Sequence, residues 1–187
     1  MLITDVTGTT RCGQIVHDTK TPKTTRPSAY DKKLKMVWDC NLTSRERRRH
    51  VSLVYFFVVD GVIKKIGQSS TKSGVTGALG FYTAAGFGDD GSPRFMINGL
   101  CREALDSGSV VEVYYISREM VKVEVPGLFG TTLMDVPVSA KGMEECCLED
   151  YKNVEGVYPD WNFQENHDTQ PQHLVERYNA YRVARRG

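Results

Sequence analysis

An apolar run that stops at a tight turn and then resumes is the clearest pattern in this chain. Residues 53–59 are apolar at nearly every position, and residues 62–67 form a shorter run of mixed apolar and basic side chains. Between the two runs stands Asp60-Gly61, a pair that favours the two-residue turns of β-hairpins. The pattern therefore predicts two antiparallel strands joined at this turn.

Apolar positions spaced three and four residues apart predict helices elsewhere. In the first, Ser92 is expected as the N-cap and Pro93 as the first helical residue, and the helix is expected to end before Gly108. Its apolar stripe consists of Ile97, Leu100, Cys101, Ala104 and Leu105. A second helix is expected over about 139–154. A third, basic and amphipathic, is expected over 171–186.

The remaining segments give weaker patterns. Several glycines weaken the helix expected over 75–82, and Thr43 or Ser44 is expected to cap a short helix in the polar, basic segment 29–50. The other expectations, in chain order, are an arm or loop with one early strand over 1–28, a glycine-rich loop over 86–91, a strand over 110–116, and a loop or irregular hairpin over 121–138.

Composition limits the possible classes of protein. The chain has 187 residues, is 40% hydrophobic and 25% charged, and carries a formal net charge of +1, so any binding of nucleic acid must depend on local basic patches. No apolar run is long enough to span a membrane, and no secretory signal is seen, so a cytoplasmic protein is expected. The five cysteines form no Cys-x-x-Cys pair, which favours free thiols over a disulfide framework or a zinc site.

Two short motifs flank the hairpin turn. Leu53-Val54-Tyr55 lies on the first strand, and Lys65-Ile66-Gly67 follows on the second. The pair resembles the two signature motifs of the GIY-YIG nuclease superfamily. The first motif lacks its glycine, and Lys65 stands where tyrosine is usual, as in the restriction-endonuclease branch of that superfamily.

The resemblance implies a fold and an organisation. The fold class is α/β (α+β), with a small, mostly antiparallel three-stranded sheet flanked by helices. The chain is expected to be a single domain, 1–187, with a nuclease core over 51–165. The additions are an N-terminal arm or basic extension over 1–50 and a C-terminal basic helix over 166–187.

A glutamate on the late helix is the candidate metal ligand. Glu144 has apolar partners at offsets of three, four and seven, so it lies on or beside the face that packs on the sheet. A carboxylate there is costly unless it is paired or holds a cation. The resemblance implies that Glu144 binds one divalent metal such as Mg²⁺, and Pro159-Asp160-Trp161-Asn162 fits the segment that follows in the family. Glu145 is the nearest rival, and Asn162 is expected to brace the structure.

The resemblance also implies an arginine on the first helix after the second motif, where this chain has none. Arg94, at the start of a helix, is the favoured substitute, Arg102 is the second choice and Lys72 an outside candidate. Tyr55 and Lys65 are assigned the proton chemistry, and which of them is the base stays open. Tyr82 either lines the site or completes the apolar face of its helix.

A cluster of arginines precedes the hairpin. Arg45, Arg47, Arg48 and Arg49 fall within five residues, and Glu46 is the only other residue among them. Such a run is either a solvated helix face or a set of phosphate contacts, since the guanidinium group matches phosphate oxygens.

The function implied is hydrolysis of DNA phosphodiester bonds by a metal-dependent, site-specific endonuclease of the type II restriction kind, encoded by a prokaryote or phage. Palindromic double-stranded DNA sites favour a homodimer. The alternatives are a less specific phage or mobile-element nuclease of the same superfamily, a DNA-binding protein that has lost catalysis, and a protein unrelated to nucleic acids whose motifs match by chance.

Overall fold

A computed structural model describes residues 1–20, 27–87 and 91–186. Its centre is a mixed α+β arrangement around a five-stranded antiparallel sheet in the order β2-β1-β5-β3-β4. The strands are β1 (Thr10–His17), β2 (Leu34–Trp38), β3 (Ser52–Val59), β4 (Val62–Ser69) and β5 (Val111–Arg118). The expected three-stranded sheet was too small, because β1 and β2 extend it beyond β5.

The additional strands lie within the segment expected to be an N-terminal arm. The early strand predicted in that segment is confirmed as β1, whereas β2 was not foreseen. Strand β1 mixes polar and apolar residues, and its Arg11 pairs with Glu112 at 2.8 Å and with Asp39 at 2.7 Å. Strand β2 is a short, mostly apolar run inside a polar, basic segment, and five residues are too few to show a clear period.

The predicted hairpin is confirmed as β3 and β4. Asp60 and Gly61 both adopt positive φ, of 48° and 84°, which matches a type I′ turn and the right-handed twist of the strands. The Asp60 carboxylate accepts a hydrogen bond from the Val110 amide at 2.8 Å, which ties the turn to the start of β5. Strand β4 is the edge of the sheet on this side.

The helices agree with the predictions except in one cap and in α5, which was not predicted. They are α1 (Ser44–Arg47), α2 (Gly74–Ala84), α3 (Ser92–Asp106), α4 (Ala140–Glu155), α5 (Phe163–Asn166) and α6 (Gln172–Arg186). Thr43 caps α1 in a capping box with Glu46, and Ser139 caps α4. The expectation that Ser92 caps α3 was wrong by one residue, because Gly91 is the N-cap and Ser92 is already helical.

Two apolar cores lie on opposite faces of the sheet, and a third lies beside them. Helices α2 and α3 cover the face that carries Tyr55 and Phe57, whereas α4 covers the face that carries Val54 and Phe56. The third core holds α6 against α3 through Phe95. The alternation of β3 between these faces explains why its sequence is almost continuously apolar.

A separate hairpin stands outside the main sheet. Strands β6 (Val121–Gly127) and β7 (Gly130–Val136) pair in regular register, where a loop or irregular hairpin was expected. Its tip residues Leu128 and Phe129 are 96% and 102% exposed. The β6–β7 hairpin therefore extends from the main sheet between β5 and α4, with exposed apolar residues at its tip.

The other expectations concern the termini, loops and thiols. Residues 21–26 of the predicted arm and 88–90 of the predicted glycine-rich loop lie outside the described residues. All five cysteines are free, as predicted. Within the described ranges, every helix is either too short or too polar to cross a membrane.

Candidate functional site

The glycine of the second motif makes room for the tyrosine of the first. Tyr55 on β3 lies directly opposite Gly67 on β4. A Cβ atom at Gly67 would lie 2.5 Å from the Tyr55 hydroxyl oxygen and 2.6 Å from its ring carbons, well inside van der Waals contact. The two motifs are thus coupled by packing, since the ring can occupy this position only if residue 67 has no side chain.

The Tyr55 hydroxyl meets a second tyrosine from α2. The oxygens of Tyr55 and Tyr82 are 2.6 Å apart, and the two rings pack edge to face at 5.7 Å between centroids. Burial, together with Tyr82, raises the pKa of Tyr55 well above its ordinary value, and burial raises the pKa of Tyr82 as well. Both phenols are therefore protonated at neutral pH, with one hydroxyl donating to the other.

Arg94 lies beside this tyrosine pair. It sits in the first turn of α3, and its guanidinium carbon is 4.2 Å from the ring centroid of Phe81 on α2. Arg94 therefore brings a cation onto α2, the helix that carries no arginine of its own. It lines a cavity of about 380 Å³, whose other lining residues are Tyr55, Gln68, Ser69, Ser70, Thr71, Ala78, Phe81 and Tyr82.

Arg102, the second candidate, is not part of this group. It is buried farther along α3, where its Nε donates to Asn98 at 2.8 Å and its Nη2 donates to the Lys32 carbonyl at 2.7 Å. The backbones of Arg94 and Arg102 are about 12 Å apart along the helix, because each residue of an α-helix rises about 1.5 Å. Only Arg94 of the two arginines lines the cavity that contains Tyr55.

Lys65 lies on the same face of the sheet as Tyr55, because it pairs with Phe57 across the β3–β4 ladder. It is partly buried, and this burial lowers the pKa of its ammonium group, against the opposing charges of Glu165 and Glu144. Lys65 also lines a small cavity of about 60 Å³ together with Trp161 and Glu165. The structure thus places a lysine with weakened proton affinity next to open space.

Glu144 lies on α4, which packs on the other face of the sheet, and its charge acts on Lys65. Burial raises the pKa of its carboxyl group, while the charge of Lys65 opposes that shift. Its negative charge also acts on Tyr55 and Tyr82, which brings it into the same electrostatic neighbourhood. The rival Glu145 is exposed and forms an i,i+4 ion pair with Lys141 at 3.6 Å, so of the two it is the surface residue.

The side chains suit a single divalent cation. Glu144 is partly buried and has no ion-pair partner among the described residues, so a cation beside it would offset the cost of its burial. In the described part of the chain, no three His, Cys, Asp or Glu side chains converge into a metal-binding cluster. A metal here would depend on one carboxylate together with water and substrate oxygens, a ligand set that Mg²⁺ accepts.

Asn162 is built into the scaffold rather than aimed at the cavity. Its Oδ1 accepts from the Ile66 amide at 2.9 Å, and its Nδ2 donates to the Ile66 carbonyl at 3.0 Å. The Trp161 amide also donates to the Lys64 carbonyl at 2.8 Å. The segment before α5 therefore covers the open edge of β4 at the second motif, which satisfies backbone groups that an edge strand would leave unpaired.

The basic candidates outside the cavity differ in how they are held. Arg47 stacks over Trp38 at 4.7 Å, and Arg49 pairs with Glu119 at 2.6 Å. Arg45, Arg48 and Lys72 are exposed. Gly74, the first residue of α2, packs directly against the backbone of the arginine cluster, because a Cβ at this position would overlap the carbonyl oxygen of Arg49. The arginine cluster therefore lies next to the start of α2.

Two polar residues near the site had no signal in the sequence. Glu165 follows the Pro159–Asn162 segment and acts on both Lys65 and Glu144, yet a glutamate in a short helix carries no periodic pattern. Gln68 directly follows the second motif and lines the cavity of Tyr55 and Arg94. Its place next to Gly67 on the edge strand was the only available hint.

The chain matches no protein-family model and no curated protein. The solved structures that resemble it include two nucleases. A structure of restriction endonuclease HPY188I in complex with product DNA has 18% identity and a TM-score of 0.44, covering 81% of this chain and 78% of that one. A mutant of EndoII from bacteriophage T4 has 18% identity and a TM-score of 0.40, covering 59% of this chain and 70% of that one. Both likenesses are remote, so the function is inferred below from this chain's own residues.

Proposed function

We propose that the chain is a metal-dependent DNA endonuclease of the GIY-YIG kind. The observation that carries the proposal is the grouping of Tyr55, Lys65, Arg94 and Glu144. Tyr55 and Arg94 line one cavity, Lys65 lines a smaller one, and the charge of Glu144 acts on both Tyr55 and Lys65. The set offers a hydroxyl, an amine, a guanidinium and a carboxylate. These are the groups that hydrolysis of a phosphodiester requires.

In the proposed reaction Lys65 accepts a proton from water. The water oxygen then forms a bond to phosphorus while the bond between phosphorus and the leaving oxygen breaks, and the leaving oxygen takes up a proton. Arg94 stabilises the negative charge that develops on the phosphoryl oxygens. Glu144 would hold Mg²⁺, which would supply Lewis-acid chemistry at the phosphoryl group.

Lys65 is the better candidate for the base. Its lowered pKa increases the neutral fraction that can accept a proton, whereas the raised pKa of Tyr55 keeps the phenol protonated. A protonated Tyr55 that is positioned by Tyr82 can donate a hydrogen bond to the water or to the phosphate. We therefore assign proton transfer to Lys65 and orientation to Tyr55.

Double-stranded DNA is the proposed substrate, and the arginine cluster is proposed to contact its backbone. Arg45 and Arg48 are exposed, and the cluster abuts the start of α2, which follows the loop that lines the cavity. Lys72 lies in that loop and is exposed as well. Contacts of this type bind phosphates without reading sequence and weaken as salt rises.

A site-specific enzyme of the restriction type is expected to act as a two-fold dimer. The β6–β7 hairpin offers the surface, since Leu128 and Phe129 expose apolar side chains almost completely. One lysine and two acidic residues lie along this hairpin, which suits a second copy of the chain better than a DNA backbone. Light scattering of the wild type and of a Phe129→Asp variant tests the dimer.

Cleavage of unmethylated phage DNA tests the main proposal. The wild type is expected to give discrete fragments with Mg²⁺ and none with EDTA, while Glu144→Ala is expected to be inactive. Glu145→Ala is the matched control, because it removes the same group one residue away from an exposed position. A smear of products instead of bands would favour a less specific phage or mobile-element nuclease, and intact DNA would contradict nuclease activity.

A second candidate is a DNA-binding protein without catalysis. It is favoured by one observation, the absence of an arginine from α2. Such a protein would retard duplex DNA in a gel with a strong dependence on salt and leave it intact in Mg²⁺. A gel-retardation assay on the same samples distinguishes the two functions, because a binding protein without catalysis would retard the DNA and leave it uncut.

A further inference from the structure

A second cavity, of about 360 Å³, lies away from the proposed cleavage site. It is bounded by the C-terminal half of α3, the first turns of α6 and the segment 29–32. Three of its lining residues are Tyr30, Arg102 and Arg177, and none of them has a part in the reaction proposed above. The question is what this group of side chains is suited to hold.

Arg102 is a buried cation with no carboxylate in contact among the described residues. It is only 7% exposed, and across residues 1–20, 27–87 and 91–186 no carboxylate lies within ion-pair distance of it. Its Nε and Nη2 donate to the uncharged oxygens of Asn98 and Lys32. A buried guanidinium in this state is costly unless an anion joins it.

Tyr30 adds a donor without a partner. Its hydroxyl is buried and has no hydrogen-bond partner among the described residues. The guanidinium carbons of Arg102 and Arg177 lie 4.0 Å and 5.1 Å from its ring centroid. Arg177 also donates from Nη1 to the Ala29 carbonyl at 3.5 Å, so two cations and a phenol line the same cavity.

Three acidic residues line the wall of the cavity. Glu103 pairs with His173 at 2.5 Å and Asp106 pairs with His17 at 2.9 Å, whereas Asp31 is exposed. None of the three lies within ion-pair distance of Arg102, although the charge of Asp106 acts on it from farther away. Arg102 therefore has no carboxylate from this wall in direct contact.

We propose that this cavity binds a phosphate group. Arg102 and Arg177 would supply the planar donors that match phosphate oxygens, and the Tyr30 hydroxyl would add a hydrogen bond. A free phosphate compound and a backbone phosphate of DNA share this chemistry. The proposal extends beyond the cleavage reaction and does not depend on it.

Titration with inorganic phosphate, followed by calorimetry and by thermal denaturation without Mg²⁺, tests the proposal. At constant ionic strength, phosphate is expected to raise the Tm of the wild type in a saturable way. Arg177→Gln is expected to weaken phosphate binding about tenfold or more, since one charge-assisted contact is lost. Arg182→Gln is the matched control, because Arg182 is exposed on the same helix, stacks on Tyr178 and does not line the cavity.

Tyr30→Phe separates ligand binding from folding. Removing a buried hydroxyl without a partner is expected to leave the Tm of the free protein unchanged or higher, while phosphate binds several-fold more weakly. The proposal is overturned if phosphate gives no saturable signal with the wild type. It is also overturned if Arg177→Gln and Tyr30→Phe bind phosphate as the wild type does.

A competition experiment distinguishes the two sources of phosphate. If the cavity holds a DNA backbone phosphate, inorganic phosphate displaces a labelled duplex at constant ionic strength and Arg177→Gln weakens duplex binding. If it holds a free phosphate compound, duplex affinity is the same with and without phosphate. Either result supports the site, and since no cleavage is measured, both are independent of nuclease activity.

Discussion

Two cavities of similar size, each containing a tyrosine and an arginine, satisfy their polar groups in different ways. In the cavity of Tyr55, the hydroxyl is bonded to Tyr82 and Arg94 remains exposed on Phe81. In the cavity of Tyr30, the hydroxyl has no partner in the described ranges and Arg102 is buried. The first site tolerates being empty, whereas the second has unmet hydrogen bonds that a ligand would satisfy.

This difference predicts how substitutions act. In the Tyr55 cavity, replacing a polar group should change reaction rate more than stability, because the polar groups are already satisfied or solvated. In the Tyr30 cavity, Tyr30→Phe and Arg177→Gln should weaken phosphate binding, and Tyr30→Phe should not lower stability.

Lys65→Met is expected to lower the cleavage rate about 10²- to 10⁴-fold, the range for loss of a general base. With the wild type, the rate should rise with pH through the pKa of Lys65, which burial places below 10.5. Single-turnover rates across pH measure both effects. If the variant kept the rising limb of the profile, Lys65 would not be the base.

The same variant is expected to be at least as stable as the wild type. Between the lowered pKa of the folded state and the ordinary value of 10.5, the folded state binds fewer protons at Lys65 than the unfolded state does. The stability of the wild type therefore rises with pH between these two values. At lower pH the lysine is charged in both states, and the cost of its burial is fully present. Thermal denaturation at neutral pH should show a Tm equal to or above that of the wild type.

Gly67→Ala tests the packing between the two motifs. The new Cβ would overlap the Tyr55 ring, so the ring must move, and we expect a loss of stability of about 1–3 kcal/mol together with a loss of rate of about 10²-fold. Gly80→Ala is the control, because nothing lies within 4 Å of a Cβ there and alanine suits the interior of α2. Normal activity in Gly67→Ala would show that the Tyr55 position is not needed.

Asn162→Ala is expected to lower stability by roughly 1–3 kcal/mol for each buried backbone group of Ile66 that loses its partner. The rate per folded molecule should fall less than in Lys65→Met, since Asn162 braces β4 and does not line the cavity. Denaturant melts combined with rates below the transition measure the two effects separately. If the variant were stable but inactive, Asn162 would take part in the reaction and would not be a structural residue alone.

The hairpin and the late helix could be predicted because local chemistry determines them. Asp60-Gly61 specifies its turn, and Ser139 caps α4 with no help from distant residues. Strand β2 was not predicted, because its five residues are too few to show a period and its pairing with β1 joins residues far apart in the sequence. The ion pair of Arg11 with Glu112 also joins residues far apart in the sequence. Long-range ion pairs leave no periodic signal.

The choice of arginine shows the same limit inside the site. From the sequence, the only argument for Arg94 was its position at the start of a helix. The stacking of Arg94 on Phe81 depends on how α2 and α3 pack, which the sequence pattern does not show. Glu165 was missed for a related reason, since its approach to Lys65 follows from the way residues 159–166 cover the edge of β4. When the packing of helices and strands brings a residue to the site, its place there can be assigned only once the fold is known.

Tyr82→Phe is the mildest substitution in the Tyr55 cavity and gives the sharpest comparison with Tyr30→Phe. It removes the hydroxyl bonded to Tyr55 and keeps the ring contacts with Tyr55 and Phe57. We expect a fall in rate of about tenfold or less and a loss of stability of about 1 kcal/mol, because one satisfied hydrogen bond is lost. Tyr30→Phe removes a hydroxyl with no described partner, so its Tm should not fall. If both variants lost the same stability, the two hydroxyls would be equally satisfied and the contrast between the cavities would be wrong.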